Sequence, residues 1–134
     1  MRTQRHRAIR LLLILLALAA CDGGEGRRFA HGASLTGGDP YEGRKLARDY
    51  GCGSCHTIPG VPGADALVGP PLADMGSRMY IAGRLTNTPQ HMIRWIQDPQ
   101  AIDSGTAMPN VGVSERDARD IAAYLYAIGA RRVP

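Results

Sequence analysis

Two cysteines and a histidine fall within five consecutive positions, Cys52-Gly53-Ser54-Cys55-His56. Thiols spaced in this way can close a disulfide, share a zinc ion, cycle as a redox dithiol, or bond covalently to another group. A structural zinc site needs four ligands, usually from a second Cys/His pair. Here the only other cysteine is Cys21, and neither His31 nor His91 has a partner at ligand spacing. A redox dithiol normally sits in a βαβ setting, and no run in this chain alternates like a strand. A plain disulfide across two residues is possible but leaves His56 unexplained.

The remaining reading accounts for all three residues. C-x-x-C-H is the attachment signature of c-type haem. Two thioether bonds form to the two vinyl groups at one porphyrin edge, and a short turn brings both sulfurs to that edge. The next residue then turns its imidazole towards the iron.

An iron held by His56 on one face needs a ligand on the other. The methionines beyond the motif are Met75, Met79, Met92 and Met108. Flexible thioether side chains more often fill core gaps. Met92 is followed by Ile93 inside a predicted helix and reads as core. Met75 and Met79 follow "GPPL" closely and are open to packing. Met108 stands in "SGTAMPNVG", a non-helical loop stiffened by Pro109, and is the favoured ligand because His/Met ligation is a recognised haem arrangement.

Three helices must position these groups. The first runs from Asp39, a good N-cap, through Pro40 at the first helical position to about Tyr50, with Gly51 as its stop. The second starts at Thr88–Pro89 and ends at Asp98–Pro99. The third is capped by Ser114 and stops at Gly129; Ala118, Ile121, Ala122, Leu125 and Ile128 form its apolar stripe. Long loops, Thr57–Asn87 and Gln100–Val113, lie between them. The class is all-α. Loops of about 30 residues are unusual in so small a domain, and a core of this size is marginal. Both facts suit a chain wrapped around one large apolar group.

The 134 residues allow at most one small domain. Sixteen Lys and Arg face twelve Asp and Glu, for a formal charge of +4. Four of the cations, Arg2, Arg5, Arg7 and Arg10, precede residue 21, where there is no acid; the other twelve balance the twelve acids. Without the first 20 residues no basic surface remains from which to argue nucleic-acid binding. "MRTQRHRAIR" and the apolar "LLLILLALAA" read as a leader too short for a membrane span, which needs about 20 residues. "LAAC", Leu18 to Cys21, resembles the bacterial lipoprotein box and implies acylation of Cys21 after cleavage. Glycine-rich residues 22–38 read as a flexible tether with a reach of roughly 20–25 Å. The expected organisation is a lipoprotein signal peptide over 1–20, a lipidated tether over 21–38 and one domain over 39–134.

Over roughly residues 39–130 the sequence resembles class I cytochrome c. The resemblance is carried by "CGSCH", "GPPL", "DP", "GTAMP" and "DIAAYLYAIG". It implies the cytochrome c fold with one covalent haem c. It further implies that Pro70 offers its carbonyl to His56, that Arg78 lies near the haem propionates, that Thr106 bonds a propionate, and that Trp95 packs beside the methionine ligand. Gly43 and Tyr124 match the small residue and the aromatic through which the first and last helices cross. Two departures stand out: Ser104 replaces a frequent proline in the ligand loop, and "GVPGADALV" has no residue-by-residue match. Tyr80 and Arg84 stay open between a propionate contact and ordinary surface or core placement.

The expected function is electron transport rather than catalysis, because an iron with both axial positions filled offers no site to substrate. The expected setting is the periplasmic face of a bacterial inner membrane. There the chain, as a monomer or a subunit of a membrane complex, would pass single electrons from a quinol-oxidising complex towards a terminal oxidase. The alternative is a haem sensor or peroxidase-like protein with a labile Met108, since distal access decides between transfer and activation.

Overall fold

The computed structural model describes residues 23–129. The expected leader over 1–20 and Cys21 lie outside the described residues. In chain order the elements are α1 (Gly23–Thr36), α2 (Pro40–Asp49), a 3₁₀ turn (Cys52–Ser54), a second 3₁₀ turn (Met75–Ser77), β1 (Tyr80–Ile81), β2 (Leu85–Thr86), α3 (Pro89–Gln97), α4 (Pro99–Ile102) and α5 (Glu115–Gly129). The class is all-α, as expected. The two strands form one short antiparallel pair, Tyr80 opposite Thr86 and Ile81 opposite Leu85, too short for any alternation to be legible.

The helices start where side-chain caps allow. Asp39 accepts from the backbone N–H groups of Tyr41 and Glu42, and Pro40 takes the first position of α2. Thr88 accepts from His91 N–H at the start of α3, and Ser114 accepts from Asp117 N–H at the start of α5. Each cap satisfies a donor that the first helical turn leaves without an intrahelical partner. Asp98 caps α4 by accepting from Ala101 N–H, so the second long loop begins with a helical turn.

α5 is the spine. It packs against α1, α2, α3 and the second 3₁₀ turn. Ala118, Ile121, Ala122 and Leu125 are buried along it, as their spacing predicts, while Ile128 is half-buried. α2 crosses α5 at Gly43, where a Cβ would fall 1.9 Å from the Asp120 carbonyl oxygen. Side chains lock the crossing at both ends. Asp120, buried, accepts from Asp39 N–H at 2.7 Å, and Tyr50 donates to Asp117 at 2.6 Å. Tyr124 is buried and donates to the Pro59 carbonyl, which ties α5 to the loop that follows His56.

The flexible tether expected over 21–38 needs correction. Its greater part is α1, fourteen residues long and docked on α5. Phe29 is 5% exposed, with its ring centroid 4.5 Å from Tyr41 and 5.9 Å, edge-on, from Tyr124. Gly32 allows an approach so close that a Cβ would lie 2.1 Å from the Ala123 carbonyl oxygen. Thr36 is buried, and Arg119 donates to its carbonyl. Phe29, Gly32 and Thr36 do recur at helical spacing, but only one of them is a large apolar residue. Glycines lower the intrinsic helix propensity of this segment, and burial against α5 supplies what propensity lacks.

Candidate haem attachment site

Gly51, with φ of +73°, ends α2 and turns the chain. The backbone then tightens: Ser54 N–H donates to Gly51 O, and both Cys55 N–H and His56 N–H donate to Cys52 O. In a 3₁₀ turn side chains three residues apart eclipse one another. Cys52 and Cys55 are three apart, so one turn presents both sulfurs on the same side. Both are free thiols and half-buried. Burial pushes the Cys52 thiol up from its ordinary value, and the nearby Cys55 adds to the shift. That is opposite to the lowered thiol that dithiol redox chemistry uses. Among the described residues no group of three or more His, Cys, Asp or Glu side chains is placed to hold a metal ion.

The His56 imidazole is held from two sides. Its Nδ1 lies 2.8 Å from the Pro70 carbonyl oxygen. A carbonyl only accepts, so Nδ1 carries the proton and Nε2 keeps its lone pair for a ligand role. Gly69 packs against the ring: a Cβ there would fall 2.4 Å from Cε1 and 2.6 Å from Nδ1. Gly69 N–H donates to Cys55 O at 2.7 Å, and Leu72 N–H donates to Thr57 O. The segment 69–72 is thereby laced onto the motif. Arg78 adds a clasp, donating to the Pro71 carbonyl at 2.6 Å. The Pro70 contact was expected. The role of Gly69 was missed, although the residue stands in "GPPL"; nothing in the sequence signals a ring against its Cα.

The four methionines separate clearly. Met75 and Met92 are buried at 5% and 1% exposure, and Met79 is 79% exposed. Met108 is half-buried and packs at the margin of the core, as does Cys52. The Met108 loop is organised by short hydrogen bonds. Thr106 N–H donates to Asp103 O, Gly105 N–H donates to the Asp103 carboxylate, and Met108 N–H donates to the Thr106 hydroxyl. Arg84 pairs with Asp103 at 3.0 Å, which joins the β1–β2 hairpin to this loop. Trp95 is buried on α3 and Tyr80 is exposed. Asn87 donates to the carbonyls of Met75 and Arg78 and accepts from Tyr126. Sequence reasoning missed this hub as well.

The residues present fit a covalently attached haem. Cys52 and Cys55 supply two free sulfurs on one side of a turn, His56 an oriented imidazole, and Met108 a thioether at the core margin. Leu67 and Val68, next in the chain to Gly69, are 82% and 80% exposed.

A helical fold that presents a thiol pair and an adjacent, carbonyl-anchored imidazole defines a c-type haem protein. The chain belongs to the cytochrome c family, whose profile, described as Cytochrome c, matches residues 41–128. Covalent haem c is the family's cofactor and electron transfer its role. The match opens inside α2 and closes at the end of α5, so α1 lies outside it. Two curated relatives are named cytochrome c oxidase subunit 2. One, from Alkalihalophilus pseudofirmus, is 34% identical over 85 residues, covering 63% of this chain and 24% of the relative. The other, from Bacillus subtilis, is 29% identical over 92 residues, covering 67% and 26%. The chain thus spans about a quarter of the length of each. No solved structure matches it.

Proposed function

We propose that the chain is a monohaem electron carrier of a respiratory chain, held at the periplasmic face of a bacterial inner membrane by acylated Cys21. Cys52 and Cys55 would hold the haem by thioether bonds, and His56 and Met108 would ligate its iron. The observation that carries this reading is the His56 Nδ1–Pro70 bond beside two thiols on one turn. It leaves one nitrogen available, oriented, next to both attachment points. When bound, the haem supplies a one-electron Fe(II)/Fe(III) couple. The chain's own contribution is to fix ligands, exclude water and keep the two oxidation states alike. Met108, a soft donor, favours Fe(II) and raises the potential relative to two nitrogen ligands. Arg78, beyond His56 in the chain, and Thr106, two residues before Met108, are assigned to propionate contacts; Trp95 is assigned to packing beside Met108.

Electrons would arrive from a quinol-oxidising complex and leave towards a terminal oxidase. The names of the two relatives support the oxidase end. Membrane attachment supports it too, because tethering raises effective concentration near membrane complexes. The test is purification of the mature protein from a host that matures c-type cytochromes. A haem that survives acid-acetone extraction, with one iron per chain and an acyl mass on Cys21, is the expected result. A colourless extracted chain, carrying two titratable thiols, would overturn the reading.

A further inference from the structure

α1 lies outside the family match, which opens at residue 41, yet it packs along α5 as α2 does. Phe29 inserts between Tyr41 and Tyr124, Gly32 lies on the α5 backbone, and Arg119 donates to Thr36 O. At its other end, Glu25 stands 3.9 Å from Arg44 of α2. Gly37, with φ of +73°, turns the chain directly into α2. Nothing in this arrangement is left to act as a leash.

The consequence follows from chain length. Two residue steps separate Cys21 from Gly23, and they span at most about 7 Å in any conformation. Four steps separate Cys21 from Glu25, at most about 14 Å. We infer that α1 is a rigid mount: it seats one face of the domain, formed by the start of α1 and the outer side of α2, directly on the bilayer. This inference rests on the acylation of Cys21 proposed above. The same face holds a cleft of about 510 Å³ lined by Tyr41, Arg44, Lys45, Arg48, Gly60 and Pro62. Its cations are paired with Glu25, Glu42 and Asp49. The cleft is therefore close to neutral; α1 itself carries Arg27 and Arg28, and a zwitterionic bilayer tests the seat without their attraction to anionic headgroups.

A seated domain and a leashed one differ in one measurable property. On a leash of 17 residues the haem plane takes every angle to the membrane normal. On a mount it keeps one. The test uses the full acylated holoprotein in oriented multibilayers of phosphatidylcholine, with the electron paramagnetic resonance of the ferric haem recorded as the sample is rotated in the field. The expected result is a spectrum that depends on the angle. Two variants should abolish that dependence: Gly32→Leu, which forces α1 off α5, and a Gly/Ser insertion of about 12 residues between Asp22 and Gly23. The insertion leaves every contact of α1 in place, so the test survives if Gly32→Leu does not fold. An acylated wild-type protein whose spectrum is the same at all angles overturns the mount alone. A wild-type protein whose N-terminal peptide carries no acyl mass overturns the anchor and the mount together. Equal angular dependence in wild type and insertion variant also overturns the mount.

Discussion

Gly69 sits against the His56 imidazole with no room for a methyl group between them: a Cβ at residue 69 would lie 2.4 Å from Cε1. Its N–H is also bonded to Cys55 O, so the backbone cannot retreat without breaking that link. Gly69→Ala must therefore push the ring away from the Pro70 carbonyl or open the motif. Overpacking of this kind costs roughly 1–3 kcal/mol. The denaturation midpoint of the holoprotein should fall accordingly. Its absorption spectrum should change too, because the ring that moves is the proposed ligand. An unchanged spectrum would remove Gly69 from the site.

The α2–α5 crossing makes a sharper test of packing. At Gly43 the added methyl meets backbone, the Asp120 carbonyl, and backbone does not yield as a flexible side chain does. Gly43→Ala is expected to destabilise by at least about 2 kcal/mol. Gly26 provides the opposite case. It is exposed on α1 with nothing within 4 Å of a Cβ. Gly26→Ala should stabilise by about 0.5–1 kcal/mol through helix propensity alone. Chemical denaturation of the pair measures both signs.

The bond between Tyr50 and Asp117 makes stability depend on pH at two ends. The Tyr50 hydroxyl holds the Asp117 carboxyl below its ordinary 3.8, with Ser114 assisting. A carboxyl lowered in the folded state stabilises above its ordinary value, and that stability is lost as pH falls through the folded value. The same bond, with burial, raises the Tyr50 hydroxyl above 10.0. That contribution is present below 10 and is lost as pH rises through the folded value. The stability gap between wild type and Tyr50→Phe should therefore be widest between about pH 4 and pH 10 and narrow outside that window. A gap independent of pH would show that the bond does not form in solution.

Tyr126 is buried, donates to Asn87, and has its hydroxyl pushed up to about 12 by burial. A spectrophotometric titration should show Tyr50 and Tyr124 shifted up and Tyr126 titrating last. Tyr126→Phe should remove that late step. It also leaves Asn87 Oδ1 without its donor, at a cost of about 1–3 kcal/mol. Should the latest step persist in Tyr126→Phe, this placement of Tyr126 is wrong.

Among the described residues Met108 and Met79 are the two methionines that the core leaves accessible, one half-buried and one 79% exposed. Met108→Ala should lower the reduction potential by on the order of a tenth of a volt or more, since axial ligands set haem potentials over about 0.8 V. It should also open the iron to carbon monoxide. Met79→Ala should do neither. Reversal of these outcomes would move the iron ligand to Met79, the residue before β1.

The sequence by itself determined whatever depends on neighbours along the chain. Asp39, Thr88 and Ser114 cap the helices they were expected to cap, because a cap acts within one turn. The motif Cys52–His56 reads as attachment chemistry for the same reason: five consecutive residues contain both sulfurs and the imidazole. Pro70 on His56 and Gly43 at the helix crossing entered through resemblance; the Pro70 carbonyl lies 2.8 Å from His56 Nδ1, and Gly43 lies against the α5 backbone. Only the tertiary structure decided the rest. α1 folds because Phe29 and Gly32 find Tyr124 and Ala123, nearly a hundred residues away, and a composition of glycine and arginine carries no trace of that burial. Gly69 matters because a ring from residue 56 lies over it, and Asn87 because it joins the second 3₁₀ turn to α5. Caps and motifs are local chemistry, legible at short range; docking and close approach are properties of surfaces that exist only once the chain has closed on itself.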